Sequence, residues 1–574
     1  MKRRKLKLKN IKNKLLALLP LIILISLTFT LVVYFNQNTQ VEILRSNIAN
    51  IEPIFLLVNF LILVFSFVVN FQAIKKRFSK IKLQTWAFLF FIFLIAIFLR
   101  AFVTPTTCRI FFDEDIYLET GKEILVRGNG SLCNYGDALG CYEYDLMKWP
   151  NGYPFLLAVS YFFAGVSDVV GFNLNIALGS IAVVLIFLIT YLITKNERAS
   201  LFSALFFALI PVHIMWSATA AAEPVLLFFT TLAVFCFLFS FEQNNLKSHI
   251  MATASLAYAV QIKPEGLVLL PFFALVVILL DKQFFKKIED KKFLAVWAIF
   301  FFLIIPYLVH MNHSFERDTW GSEGGKFGLE YAAKNIPINL IFWIRGYENI
   351  EHPILFTIFA VIGSLFWFFK NKRVTATLLV WFFLMFFLYA FFYAGSVLYG
   401  ADVRYSLSGY PPLIILAGIG SYSTIEFLKK KRYKRILTLL IVSLTLISFI
   451  FYLPSISTPA EDIEEARHSR AYRQFAIKTA EEFDDSCYIL SHVPSIYLVM
   501  GKNSLQTWNA QNKERMNEIF NKTDCVIFDD GFWCHIEPYE SSICKDIFDD
   551  YNLVLIEEYQ EKTGKTYSFY KVLR

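Results

Sequence analysis

Charge is scarce in this sequence. Of its 574 residues, 18% are Asp, Glu, Lys or Arg, whereas 56% are hydrophobic, 62 are Phe and the mean hydropathy is +0.51. A soluble chain of this size has no interior large enough for so many apolar side chains, so the bilayer is the solvent for most of them. The phenylalanines read first as lipid-facing filler. Ionisable residues are almost missing from the middles of the apolar runs, and no internal repeat is visible. Both lacks argue against a transporter or lipid flippase, which places polar groups near mid-bilayer and often has repeated halves. No stretch of 454–574 forms a phosphate-binding loop or a catalytic triad, and the cysteines lack zinc-site spacing. The formal charge of +8 implies no nucleic-acid partner, because the basic residues fall in clusters between apolar runs.

Those runs set the topology. Met1-Lys2-Arg3-Arg4-Lys5 precedes an apolar stretch from Leu15 to Phe35, too long for a signal-peptide core and followed by no small-x-small cleavage site. It is expected to remain as a first span with a cytoplasmic N-terminus. Apolar segments near 15–35, 53–73, 84–103, 172–194, 200–217, 224–241, 248–262, 265–281, 293–311, 353–370, 374–394, 406–427 and 435–453 predict a polytopic α-helical membrane protein. The count is about thirteen transmembrane helices. With it, Lys75-Lys76-Arg77, Lys195 with Arg198, Lys286-Lys287 with Lys291-Lys292, Lys370 with Lys372-Arg373, and Lys429-Lys430-Lys431-Arg432 all share the side of the basic N-terminus. That is the positive-inside pattern. The apolar stretch Tyr153 to Val166 is too short to span and is expected in the outer interface.

Three long pieces then face outward: 104–171, 312–352 and 454–574. Each holds one Asn-x-Ser/Thr triplet, at Asn129, Asn312 and Asn521, as an exported face allows. Cys133 with Cys141, and Cys534 with Cys544, are close enough for local disulfides. In 454–574 the pattern becomes that of a soluble α/β domain. Strands are predicted around 487–490, 525–528 and 552–556, with helices over 512–521 and 543–550. The organisation is therefore 1–83, a basic tail and two-helix hairpin; 84–453, a membrane module; and 454–574, an extracytoplasmic α/β domain. The Trp320-Gly321-Ser322-Glu323-Gly324-Gly325 stretch reads either as a closing lid or as a plain connector.

Against this apolar background a few ionisable residues stand at one depth on the outward side. They are Arg100 at the end of its span, Asp113-Glu114-Asp115 with Tyr117 just beyond, Glu223, Lys263, and Asp402 with Arg404 and Tyr405. Each has a plain structural alternative. Acids at 113–115 favour a helix start, Glu223 before Pro224 caps one, Lys263 snorkels, and Asp402 pairs with Arg404. Arg100 serves as partner to an acid of the ring, and His213 reads as a hydrogen-bonded interior group. Taken together, a ring of both signs suits a lipid-linked phosphate: cations hold the phosphate and a carboxylate takes a proton.

The order of these residues resembles the GT-C glycosyltransferases, especially protein O-mannosyltransferases and lipid A aminoarabinose transferases. An Asp-Glu pair followed by Tyr in the first outward loop is matched by Asp113, Glu114 and Tyr117. Trp149-Pro150-Asn151-Gly152-Tyr153-Pro154 is similar to the family's Pro-Pro-Leu-Tyr region. Ala222-Glu223-Pro224-Val225-Leu226-Leu227 resembles its second acidic loop, Ile262-Lys263-Pro264-Glu265-Gly266 its Thr-Lys-Gly-Pro turn, and Arg404-Tyr405 through Pro411-Pro412 its Arg-Tyr…Pro span. The resemblance covers residues 84–427. The two preceding spans fall outside it, as an added hairpin that does not touch the site. Lys263-Pro264 lacks the usual intervening Gly, which leaves the direction of the lysine open. The Trp-Trp-Asp-Tyr-Gly signature of the oligosaccharyltransferase branch is absent, and Gly531-Phe532-Trp533-Cys534 does not replace it.

The resemblance implies a donor sugar on a polyprenyl or dolichyl phosphate, and a protein, glycan or lipid acceptor. Membrane lipids are the other partners, and no cofactor or metal is expected. Asp113, Glu114 and Glu223 would be catalytic. Lys263, Arg404 and Tyr405 would bind the donor phosphate, supported by Asp115, Tyr117 and Arg100. Asp113 or Glu114 would deprotonate an acceptor hydroxyl that inverts the anomeric carbon.

Overall fold

The computed structural model describes residues 2–574 apart from 110–111, 138–139, 281–290, 318–324, 347–351, 398–399, 429, 458–463, 536–541 and 562–563. The membrane part begins with α1 (Lys2–Asn38), α2 (Val41–Phe78) and α3 (Leu83–Phe98), the last drawn out by a π turn to Val103. The first loop holds α4 (Asp113–Arg127), strands β1 (Leu132–Gly136) and β2 (Cys141–Asp145), and α5 (Gly152–Ala164). Then follow α6 (Asp168–Thr194), α7 (Glu197–Ala208), α8 (Pro211–Ser217), α9 (Ala222–Gln243), α10 (Leu246–Ile262), α11 (Leu269–Leu280) and α12 (Lys291–Arg317). The remaining membrane helices are α13 (Leu329–Arg345), α14 (Ile354–Ala390), α15 (Tyr410–Phe427) and α16 (Lys431–Ser457).

All thirteen predicted segments fall on helices. Seven helices of the described residues are long and apolar enough to cross a membrane, or eight if the bent pair α7–α8 is one span. Segments 353–370 and 374–394 form the single helix α14, whose backbone leaves helical geometry at Asn371. α5 stays short, with Phe162 and Phe163 exposed at its end, as an interfacial helix would be. α9 is the most enclosed of the spans and α16 the least. α2, α3 and α16 turn Phe65, Val68, Phe90, Phe91 and Phe451 outward, which in a bilayer is contact with lipid.

Two of the basic clusters meet at one end of the bundle. Arg77 and Lys195 both reach Glu242, and Arg198 and Lys434 both reach Glu426. Lys286 and Lys287 lie outside the described residues.

The opposite end carries the sheet domain, with α17 (Glu464–Glu481), β3 (Tyr488–Ser491), α18 (Pro494–Val499) and β4 (Asn503–Gln506). It continues through α19 (Lys513–Lys522), β5 (Val526–Asp530), α20 (Ser542–Asp550), β6 (Asn552–Gln560) and β7 (Thr566–Leu573). The seven strands run in the order β2-β1-β4-β3-β5-β7-β6. β3 lies parallel to β4 and β5, and the outer pairings are antiparallel. The sheet is therefore not confined to 454–574, because β1 and β2 of the first loop complete one edge. Disulfides join Cys133–Cys141 and Cys534–Cys544, as the spacing suggests, and also Cys487–Cys525. Cys108 and Cys236 are free and buried.

Of the 312–352 loop, α13 packs on α14 through Asn335 and Asn339, which donate to the carbonyls of Ala390, Phe392 and Gly395. Trp320 to Gly324, the core of the lid-or-connector stretch, lies outside the described residues.

Candidate functional site

The site is assembled where the first loop, the α8–α9 turn, the α10–α11 turn and the segment before α15 meet at the sheet-bearing end of the bundle. α4 opens with Asp113, Glu114 and Asp115 in its first turn, which suits the helix dipole. Just before it, Phe112 holds φ at +71°, a conformation that a bulky L-residue rarely adopts. Glu114 is fully buried, and its two carboxylate oxygens accept from the backbone amides of Arg109 and Ala220, each at 2.7 Å. The first loop is thereby fastened to the α8–α9 turn. Asn175 holds that turn from α6 by donating to the carbonyls of Thr219 and Ala221.

From this turn Glu223 enters α9 and faces the centre. Its Oε1 accepts from Lys263 Nζ at 2.6 Å and from Arg404 Nε at 2.8 Å. Its Oε2 is buried and has no hydrogen-bond partner among the described residues. The two cations arrive on short elements built for close approach. Lys263 stands in extended backbone between α10 and a 3-10 turn over Pro264–Val268. That turn folds back so tightly that a Cβ on Gly266 would lie 2.5 Å from the Ala259 carbonyl oxygen. Arg404 and Tyr405 come from a 3-10 segment, Gly400–Gly409. The Arg404 guanidinium lies 4.7 Å over the Tyr405 ring and donates to its hydroxyl. Tyr405 in turn stacks on Tyr389 of α14 at 4.7 Å. Behind this stack lies a small apolar pocket, lined by Trp343, Phe382, Met385, Phe386 and Tyr389 among others.

Asp113 completes the cluster. Burial pushes its carboxyl above the ordinary range, while Arg404 and Lys263 pull it back. Glu223 and Lys148 are within the same electrostatic reach. Tyr117 is buried beside them, edge-on to Trp149 and Tyr153.

The sequence-predicted residues thus divide. Asp113, Tyr117, Glu223, Lys263, Arg404 and Tyr405 converge. The missing Gly does not turn Lys263 away, since the tight Gly266 turn aims it inward. Glu114, the other candidate base, accepts backbone amides on both its oxygens, which favours Asp113 for that role. Asp115 faces the other way, to Arg473 of α17 at 2.9 Å, and Arg473 also bridges to Asp168. This triad is a strut between membrane module and sheet domain. Arg100 has a different partner from the one expected. It is fully buried and donates to the carbonyls of Ala96 and Ala208, with Nη2 2.8 Å from His213 Nδ1, so its partner is a histidine and not an acid of the ring. His213 is the hydrogen-bonded interior group expected. The side chain of Asp402 lies outside the described residues.

The sequence reading passed over Lys148, although it adjoins the Trp149-Pro150-Asn151-Gly152-Tyr153-Pro154 run already singled out. It also passed over Glu52 and Arg473. The signal for Glu52 was an acid directly before an apolar run, and for Arg473 there was none within its own segment.

As for metals, His492, Cys534 and Cys544 lie close together among the described residues, but the two cysteines are joined to each other and offer no thiolate.

The model of the dolichyl-phosphate-mannose-protein mannosyltransferase family matches residues 138–318, a stretch that includes Glu223 and Lys263. A search of the curated proteins by sequence finds no match. Solved structures match over most of the chain. The Archaeoglobus fulgidus oligosaccharyltransferase, tethered to an acceptor peptide, aligns with a TM-score of 0.52 and 13% identity over 86% of this chain and 74% of that one. ArnT from Cupriavidus metallidurans, bound to undecaprenyl phosphate, aligns with a TM-score of 0.52 and 12% identity over 85% of this chain and 97% of that one. This chain has the GT-C glycosyltransferase fold. The GT-C fold carries both a protein that binds a lipid phosphate and one that takes an acceptor peptide, and the cluster described above sits within it.

Proposed function

We propose that this GT-C protein is a membrane glycosyltransferase. It moves a sugar from a polyprenyl- or dolichyl-phosphate donor to an acceptor hydroxyl on the extracytoplasmic face, without a metal and with inversion. The observation that carries the reading is Lys263 and Arg404 sharing one oxygen of Glu223 beside the half-buried Asp113. With Lys148 in reach, three cations face the two carboxylates of Glu223 and Asp113, which leaves positive charge for a phosphate and disfavours a divalent ion.

In this reading the phosphate lies on Lys263 and Arg404, and the isoprenoid runs out past the apolar side chains beside Tyr405 and Tyr389 into the lipid. The acceptor oxygen forms a bond to the anomeric carbon as the bond from that carbon to the phosphate oxygen breaks. The bonding pair leaves on the phosphate, and the acceptor proton passes to Asp113. The second oxygen of Glu223, buried with no partner among the described residues, is suited to receive a substrate hydroxyl. Three disulfides at the site end of the bundle, and two of the basic clusters at the other end, support an outward-facing site.

Membranes holding the protein, given radiolabelled lipid-phosphate sugars and an acceptor, test this. Label is expected in the acceptor, and Asp113→Asn is expected to lower transfer by about 10²–10⁴-fold at unchanged abundance. Flux of label through proteoliposomes without a labelled product would replace this reading with a transporter.

A further inference from the structure

Between β2 and α5 the chain passes through Met147-Lys148-Trp149-Pro150-Asn151-Gly152, and this short segment borders the site on one side. Lys148 acts electrostatically on Asp113 and lies 5.1 Å over the Trp149 ring. Trp149 meets the edge of Tyr117. At the far end Gly152 presses on the last turn of α10, where a Cβ would lie 2.3 Å from the Gln261 carbonyl oxygen, two residues before Lys263. Tyr258 of α10 also donates to the Gly152 carbonyl at 3.0 Å. A shift of this segment is therefore felt by both the Asp113 and the Lys263 sides of the cluster.

What holds the segment comes from elsewhere in the chain. Glu52 of α2 is fully buried. Its Oε2 accepts from Asn151 Nδ2 at 2.9 Å and lies 2.8 Å from His310 Nδ1 of α12. The other ring nitrogen of His310 lies 2.7 Å from the Met147 carbonyl oxygen. Asn151 donates also to Gly130, whose own amide donates to Ala49 of α2. Both imidazole nitrogens thus face oxygen acceptors. The Glu52–His310 pair must hold a proton between them in addition to the one on the far nitrogen, or one of these contacts is lost. An acid and an imidazole so deeply buried are costly unless partnered, and here the partners of Oε2 and of the imidazole are each other and the two ends of the site-bordering segment, while Glu52 Oε1 has no hydrogen-bond partner among the described residues.

We infer that Glu52 and His310 form a clamp on Met147–Asn151, which makes the N-terminal hairpin a working part of the active site. The inference rests on the proposed glycosyltransferase reading, and it corrects the expectation that the hairpin does not touch the site. Glu52 and His310 are positioning residues: they touch the segment, and the segment sets Lys148 and Trp149 against Asp113 and Tyr117.

The test uses the full chain. Glu52→Ala is expected to lower kcat for transfer by about 10–100-fold. The fall in kcat should exceed any rise in the donor KM, because Lys148 and Trp149 face Asp113 and Tyr117 whereas Lys263 and Arg404 keep their own bonds to Glu223. Glu52→Gln, which keeps an oxygen for Asn151, is expected to recover part of the loss. A reporter independent of catalysis accompanies it: maleimide labelling at Lys148→Cys should quicken several-fold when Glu52→Ala is added. If Glu52→Ala does not accumulate, Glu52→Gln and Asn151→Ala are measured in its place, with the same signs expected. Unchanged kcat together with unchanged labelling would overturn the inference. So would an equal loss of thermal stability and donor affinity in the Ala and Gln variants, which is the mark of a merely structural role. A wild-type protein that transfers no sugar would sink the glycosyltransferase reading instead, and the labelling comparison would still decide whether the clamp exists.

Discussion

At the scale of single residues, the reading turns on how two cations are shared between two carboxylates. Asp113 is held above the ordinary carboxyl range chiefly by burial, with Arg404 and Lys263 opposing. As the base it must be ionised, so transfer should fall as pH drops through its raised value. The acid limb of kcat/KM should therefore lie above the ~4 of a free aspartate. Arg404→Ala removes an opposing cation, so whatever activity remains should have its limb shifted further up. A pH–rate profile on both proteins checks the sign. Glu223→Gln makes a different kind of test. The carboxylate now competes with phosphate for Lys263 and Arg404, and its loss should tighten donor binding while slowing turnover, so KM and kcat fall together. An unchanged KM would mean that Glu223 does not face the donor phosphate.

At the scale of elements, the site depends on backbones that touch. Gly152 against Gln261 leaves no room for a methyl group. Gly152→Ala should destabilise the protein by about 1–3 kcal/mol through overpacking, and should reduce transfer beyond what that loss explains. Thermal unfolding in detergent alongside kcat separates the two effects. In the sheet domain, Asp529 of β5 is buried, and its Oδ2 accepts from Tyr472, Ser491 and Tyr497. Burial outweighs these hydroxyls and pushes its carboxyl up to about 6. The folded form therefore binds a proton that the unfolded form, near ~4, has already released, and stability should decline as pH rises from ~4 to about 6. Asp529→Asn should flatten that decline, as unfolding midpoints across the pH range would show.

These elements were unequally legible in the sequence. Hydrophobic length placed the thirteen apolar segments on helices, seven or eight of which among the described residues are long enough to span, because a backbone in lipid must satisfy its own hydrogen bonds. The strands β3, β5 and β6 were legible as apolar runs in a polar setting. β1 and β2 were not, because a short Cys- and Tyr-rich loop gains strand geometry only by pairing with β4 far along the chain. In the same way Glu223, Lys263 and Arg404 stood out as charges at helix ends. That Glu114 would spend both oxygens on backbone amides, while Asp113 faced the cations, depended on a one-residue rotation at the strained Phe112 that composition does not encode.

At the scale of the whole molecule, the membrane bundle and the sheet domain act as one object. Arg473 joins Asp115 and Asp168, the first loop completes the sheet, and the N-terminal hairpin reaches the Asn151 segment. The central claim is that a lipid-linked phosphate lies on Lys263 and Arg404 while Asp113 serves the reaction and not the binding. Equilibrium binding of a polyprenyl phosphate to the purified chain, compared with its Arg404→Ala and Asp113→Asn variants, tests this most directly. The account expects Arg404→Ala to lose about tenfold or more in affinity and Asp113→Asn to bind as the wild type does. Wild-type affinity in Arg404→Ala, or a matching loss in Asp113→Asn, would contradict it.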